Sequence, residues 1–156
     1  TKYEGEQAVE RLLDKYYIVR IAWVFGVNGK NFIKTMLNLG ETHDTLTVVD
    51  DQVGTPTYTY DLARLLVDML EKDAYGKYHV TNEGGYITWY EFAKEILRLA
   101  GKEEQLNPVP TPQSDLSSAR PAYAVLDNFI LRIIDVYEMP GWKDSLEEFM
   151  KEKREG

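Results

Sequence analysis

Apolar positions along the chain alternate between a helical and a strand-like spacing. From Glu6 to Lys15 the spacing places Val9, Leu12, Leu13 and Tyr16 on one helical stripe, with Glu, Arg and Asp on the other side. Tyr17-Ile18-Val19-Arg20-Ile21-Ala22-Trp23-Val24 follows, rich in β-branched and aromatic residues, which predicts a buried strand ending at Gly26. Phe32, Ile33, Met36 and Leu37 line a short helix that stops at Gly40, and Leu46 to Val49 reads as a brief strand. Asp61 is placed to cap an amphipathic helix carrying Leu62, Leu65, Leu66, Met69 and Leu70. Another strand is expected from Lys77 to Val80, running into the Gly84-Gly85 turn. Thr88-Trp89-Tyr90-Glu91 has capping-box spacing and opens a helix with Phe92, Ile96 and Leu99 inward, ended by Gly101. Prolines 108, 110, 112 and 121 mark a long irregular connection from Asn107 to Pro121. A closing amphipathic helix turns Trp142, Leu146, Phe149 and Met150 inward, and its charged tail is expected to fray. Alternating helix and strand favour an α/β class. With no internal repeat and no low-complexity linker, one domain or part-domain is the simplest reading.

Composition narrows the function classes. A chain of 156 residues with 44% hydrophobic content can hide roughly 70% of its extended surface. No apolar run approaches the ~20 residues of a membrane helix, and the opening residues do not read as a secretory signal. Zero cysteines exclude disulfides, thiol catalysis and Cys-type zinc sites, and fit a cytoplasmic protein. A net charge of −8 argues against non-specific nucleic-acid binding, which needs basic surface. It leaves room for a phosphorylated small molecule, because one or two arginines can hold a phosphate on an acidic protein.

Four stretches carry a resemblance. They are Arg20-Ile-Ala-Trp23-Val-Phe-Gly26; Asn31-Phe32 with Met36; Val49-Asp-Asp-Gln52-Val-Gly54-Thr-Pro56-Thr57 running into Asp61-Leu-Ala63; and Tyr78-His79 followed by Gly84-Gly85 and Thr88-Trp-Tyr-Glu-Phe92-Ala93. A weaker fifth is Arg120-Pro121 with Leu126, where Ala124 stands in place of a frequent Ser or Thr. Asp-Gln-x-Gly-x-Pro-Thr followed by the Trp-Tyr-x-Phe-Ala helix is the most specific combination. Together they resemble the dTDP-4-dehydrorhamnose reductases of the extended short-chain dehydrogenase/reductase superfamily, over nearly the whole chain and in order. The match corresponds to the C-terminal half of such a protein. It implies the last part of a Rossmann-like NAD(P)-binding fold plus a small sugar-nucleotide-binding domain. Residues 1–80 would be the final elements of the nucleotide-binding sheet, residues 81–156 mainly the substrate domain, with the dinucleotide-binding half absent.

The resemblance also assigns roles. Lys2 matches the lysine that follows a catalytic tyrosine by four residues, so that tyrosine would fall before Thr1 with two residues between them. Such a lysine bonds the nicotinamide ribose and lowers the tyrosine pKa. Tyr3 faces elsewhere on the helix and cannot substitute. Tyr90 and Lys94 repeat the spacing by coincidence on a downstream helix. Ile21 and Ala22 would line the nicotinamide pocket. Trp23 ends the expected strand, where α/β folds place ligands, and by resemblance lies against the deoxysugar; a core tryptophan is the equal alternative. Asn31 and Phe32 open a helix whose free N–H groups suit a diphosphate oxygen, although Asn31 also reads as a simple N-cap. Gln52 and Thr57 flank a Gly-x-Pro turn, and a neutral amide at Gln52 can donate to phosphate or sugar hydroxyl. Asp50 and Asp51 are expected to be solvated loop acids. Arg120, whose guanidinium fork matches phosphate geometry, is the first choice for the diphosphate. His43 and His79 are too far apart for a metal or triad, and His79 is expected to pack or bond internally.

The implied function is reduction of the C4 ketone of dTDP-4-dehydrorhamnose by NADPH or NADH, with the chain by itself inactive. A homo-oligomer, or the N-terminal half as partner, is expected to cover the strand from Tyr17. Two alternatives stand beside this reading. One is a sugar-nucleotide epimerase or dehydratase, which tends to carry an Arg-Asp pair where Gly54-Thr55-Pro56-Thr57 stands. The other is a non-catalytic subunit related to the regulatory subunit of methionine adenosyltransferase.

Overall fold

The structure, a computed structural model, describes residues 1–103, 106–112 and 121–155. Helix α1 spans Lys2–Leu12 and leads into β1 (Tyr17–Arg20) and β2 (Val24–Phe25). Then come α2 (Phe32–Thr42), β3 (Leu46–Val49), β4 (Val53–Gly54), β5 (Thr57–Tyr58) and α3 (Thr59–Glu71). The remainder is β6 (Gly76–His79), β7 (Ile87–Thr88), α4 (Trp89–Leu99), β8 (Leu106–Val109), β9 (Tyr123–Ala124) and α5 (Trp142–Glu155). This is the α/β class expected. Three parallel pairs recur: β1 with β6, β2 with β5, and β3 with β8. Strand β4 is central in a small mixed sheet, antiparallel to β7 and parallel to β9.

Local chemistry explains the sharpest boundaries. Thr88 Oγ1 accepts from Glu91 N at 3.1 Å while the Glu91 carboxylate accepts from Thr88 N at 2.7 Å, so the capping box forms as read. At the other end of α4, Gly101 takes φ +71. There its N–H reaches Arg98 O and that of Lys102 reaches Leu97 O, a Schellman closure.

Six expectations need correction. Helix α1 begins at Lys2, ahead of the expected Glu6, and ends at Leu12, because Leu13 is already extended and feeds β1. Its apolar stripe does not bury: no residue of α1 is buried, and Leu12 is 73% exposed. The expected strand from Tyr17 to Val24 is broken at Ile21–Trp23, where the chain leaves β6 and takes up β5 as partner. Asp61 does not cap α3, which starts two residues earlier; it lies in the first turn at 1% exposure. There its Oδ2 accepts from Asn82 Nδ2 at 2.8 Å and from Ser145 Oγ. Helix α2 runs past Gly40 to Thr42, and the proline-rich connection contains strand β8, with Pro108 opposite Val48.

Two apolar cores result. The larger packs α2, α4 and α5 around Phe25, Tyr58, Phe92, Ile96, Leu146 and Phe149, and draws residues from both sides of position 80. The smaller joins Leu65 and Met69 of α3 to Tyr78, Val80, Leu131 and Met139. Among the described residues, no helix is long and apolar enough to cross a membrane.

Candidate functional site

The break between β1 and β2 builds the site. Trp23 adopts φ +44, a left-handed conformation that costs a bulky residue roughly 1–2 kcal/mol and persists only where neighbours impose it. Thr57 is the imposing neighbour. Fully buried, it donates from Oγ1 to Ala22 O at 2.7 Å and from its backbone N–H to Trp23 O at 3.2 Å. The turn throws the Trp23 indole onto Trp89, with ring centroids 3.6 Å apart and planes 14° from parallel. It also lies over Gly54, where any Cβ would stand 2.4 Å from the indole. Phe32 leans on Trp89 at 4.5 Å and on Phe92 at 5.8 Å.

These rings wall a cleft of ≈ 390 Å³ lined by Trp23, Val24, Phe25, Phe32, Gln52, Trp89, Phe92, Pro121 and Ala124. Three residues singled out from the sequence, Trp23, Phe32 and Gln52, therefore converge. Gln52 is the main polar group in the lining. Its backbone carbonyl accepts from Trp89 N at 3.3 Å, and its Nε2 donates to Thr111 Oγ1 at 2.9 Å. A mostly apolar cleft with one or two fixed polar groups is the usual form of a small-molecule site. Trp23 packs on the core with Trp89, as the core reading has it, and also lines the cleft.

The other expected residues stand elsewhere. Asn31 is consumed by structure: Oδ1 accepts from Lys34 N at 3.0 Å, Nδ2 donates to Gly26 O at 2.8 Å, and the residue does not line the cleft. Thr57 holds the backbone turn rather than facing the cavity. Lys2 is exposed in the first turn of α1, Ile21 is 39% exposed, and neither these nor Ala22 reaches the cleft. Arg120 lies outside the described residues. Asp50 and Asp51 are exposed, as expected of solvated acids, and are also hydrogen-bonded. Asp50 accepts from Thr88 Oγ1 at 2.8 Å, while Asp51 accepts twice from Thr111 because β8 passes beside β3. The Thr111 hydroxyl, then its backbone N–H, hold the Asp51 carboxyl below the usual carboxylate range.

Sequence reading missed Trp89 and Phe92 as wall residues. Their i, i+3 spacing on the first turns of α4 was the signal, and it was absorbed into the core-facing stripe. Deeper in the core, burial first and the hydrogen bond to Glu152 second push the Tyr58 phenol up. A wider groove of ≈ 660 Å³ runs along α3 past Tyr60, Arg64, Val67 and Tyr137, and contains none of the candidate cofactor- or substrate-binding residues.

Comparison with known proteins adds an independent line. The family described as RmlD substrate binding domain matches residues 1–155. The spore coat polysaccharide biosynthesis protein SpsK of Bacillus subtilis is 37% identical over 153 residues, covering 98% of this chain and 53% of that protein. A dTDP-4-dehydrorhamnose reductase structure from Clostridium acetobutylicum superposes with TM-score 0.89 at 44% identity, over 98% of this chain and 54% of that one. The Bacillus anthracis dTDP-4-dehydrorhamnose reductase in complex with NADP gives TM-score 0.88 at 41% identity, over 97% and 53%. The chain thus spans about half the length of the relatives it matches.

Proposed function

The chain belongs to the RmlD substrate-binding-domain family, and from that premise we propose that its aromatic cleft holds a dTDP-sugar nucleotide. The whole protein would be a reductase that converts dTDP-4-dehydrorhamnose to dTDP-L-rhamnose. The convergence of Trp23, Phe32 and Gln52 on one cleft carries this reading. A deoxysugar and a pyrimidine base both present apolar faces to aromatic rings, and Gln52 supplies a fixed polar contact. For the diphosphate we retain Arg120 on its sequence context. Asn31 and Thr57 support the cleft from outside it, one capping α2 and the other holding the Trp23 turn. We divide the chain at about residue 80 into final nucleotide-sheet elements and a mainly substrate-binding part, and place the protein in the cytoplasm.

The nicotinamide cofactor, NADPH or NADH, stands differently. Lys2 could offer its ammonium to a ribose, and Ile21 and Ala22 apolar contact, but none of the three lines the aromatic cleft. The Ala22 carbonyl is already taken by Thr57. These residues do not make a dinucleotide site by themselves. The exposed apolar residues of α1, Tyr3 at 60% and Leu12 at 73%, mark where we place a partner. That partner is a second copy, or a segment matching the half of the relatives that this chain does not span.

Calorimetric titration with dTDP-L-rhamnose tests the cleft. Trp89→Ala and Arg120→Ala should each weaken binding, the arginine variant by roughly 10- to 150-fold for a lost charge-assisted contact. Val67→Ala, in the α3 groove, should bind as the wild type does. Unchanged affinity in Trp89→Ala with a loss in Val67→Ala would move the ligand to α3.

A further inference from the structure

Gln52 enters the cleft with its carboxamide already tied. Its Nε2 donates to Thr111 Oγ1 at 2.9 Å, Thr111 Oγ1 donates to Asp51 Oδ1 at 2.5 Å, and Thr111 N donates to Asp51 Oδ2 at 2.9 Å. Thr111 stays within reach because β8, two residues earlier, pairs with β3, and because Asp50 N bonds Val109 O at 3.0 Å.

Proton counting sets the direction of this relay. An ionised carboxylate only accepts, so both Thr111 donors point at Asp51. A hydroxyl has one proton, and that of Thr111 is spent on Asp51. Its oxygen can then only accept from Gln52, so the atom facing it is Nε2. A flipped carboxamide would set Oε1 against an oxygen with no proton left to give, two acceptors in contact. The second proton of Nε2 stays on the nitrogen turned toward Thr111. The opposite edge of the amide, Oε1, has no hydrogen-bond partner among the described residues, and Gln52 lines the cleft whereas Thr111 does not.

Taking the cleft as the sugar-nucleotide site, we propose that Asp51 and Thr111 are positioning residues that fix the polarity of the Gln52 carboxamide. The cleft then offers an acceptor at this point and selects a ligand group that donates, such as a sugar hydroxyl, over a phosphate oxygen. This reverses the sequence reading, in which Gln52 is a donor to phosphate or hydroxyl alike. It also explains why an acid suits position 51. Asparagine has one acceptor for two Thr111 donors. With its Nδ2 toward Thr111 Oγ1, the hydroxyl proton is released toward Gln52, and the carboxamide reverses.

The test uses protein labelled with 15N at glutamine, with the Gln52 side-chain amide assigned by its disappearance in Gln52→Met. Thr111→Ser should keep the wild-type amide shifts and exchange protection. Thr111→Val should lose them, and Asp51→Asn should give a third, distinct pattern. In titrations with dTDP-L-rhamnose, Thr111→Val and Asp51→Asn should raise Kd by about 3- to 10-fold, with Thr111→Ser within about twofold of wild type. A Gln52 amide that is identical in wild type and Thr111→Val overturns the relay. Wild-type affinity in both Thr111→Val and Asp51→Asn overturns its role toward ligand. A wild type with no affinity removes the cleft assignment and this role with it. That case is told apart because the ligand-free amide pattern still separates serine from valine at 111.

Discussion

The wall of the cleft and helix α1 are held by different forces. Behind the cleft, Phe25, Tyr58, Phe92 and Phe149 are each at most 2% exposed, and Phe25 alone meets three of the other rings within 6 Å. Aromatic pairs of this kind add about 0.5–1.5 kcal/mol beyond the area they bury. No residue of helix α1 is buried, and Ala8 and Val9 are only partly covered. It is tied to the β1–β6 pair by Arg20 to Glu6 and Lys77 to Glu10, both at 2.5 Å and both at the surface, where water and salt screen them. Trp23 and Phe32 thus sit on a packed scaffold, while Lys2 sits on a helix that this chain alone holds only loosely.

Mutation of the scaffold should have the largest effect. Phe149→Ala removes a ring with no exposure that meets Phe25 at 5.7 Å and Tyr58 at 6.2 Å. About 3–5 kcal/mol of unfolding free energy should be lost in urea titrations. A loss under about 1 kcal/mol would mean that the cleft wall is not core-supported. Gly54→Ala comes next. Its Cβ would meet the Trp23 indole at 2.4 Å, so overpacking should cost about 1–3 kcal/mol and displace the Trp23–Trp89 stack. Near-ultraviolet circular dichroism reads that stack directly; an unchanged spectrum would break the link between Gly54 and the wall.

On the α1 side the expected effects are small. Leu12→Ala should change stability by no more than about 0.5 kcal/mol, since the side chain is 73% exposed. A larger loss, especially one that depends on protein concentration, would show that a partner covers α1. Acid gives the finest contrast. The Arg20 hydrogen bond holds Glu6 below its ordinary value of 4.5, so the folded group binds its proton less readily than the unfolded one. The stabilisation is complete above that value and is lost as the pH falls through the folded pKa. Amide exchange in α1 should therefore quicken below about pH 4.5 before α4 responds. Simultaneous loss in both helices would erase the distinction.

Much of the scaffold was legible because its signals are local. Thr88 and Glu91 closed the capping box, Gly101 ended α4, Leu46–Val49 formed the strand with the bounds read, and Trp142, Leu146, Phe149 and Met150 turned inward. The misreadings were long-range. Ile21-Ala22-Trp23 continues a strand in composition, and only a bond from Thr57, 35 residues on, breaks it. The stripe of α1 looked core-facing because an apolar period cannot tell a face that is covered from one that is not. Asp61 looked like a cap until Asn82 and Ser145 met it from elsewhere in the chain. At the site the same rule held. Trp23, Phe32 and Gln52 were found together, yet Asn31 and Thr57, polar and suitably placed, turned out to be spent on the backbone. Trp89 was hidden because a helix-opening tryptophan reads first as packing.

The central claim is that the Trp23–Trp89 cleft, and not another cavity, receives the sugar nucleotide. The chain carries three tryptophans, so three indole N–H resonances report on it: Trp23 and Trp89 line the cleft, whereas Trp142 is 5% exposed and does not. Titration of 15N-labelled protein with dTDP-L-rhamnose should shift the first two along a single saturating curve and leave Trp142 nearly still. Binding that leaves Trp23 and Trp89 unmoved, or a titration to millimolar ligand that moves none of the three, would contradict the claim.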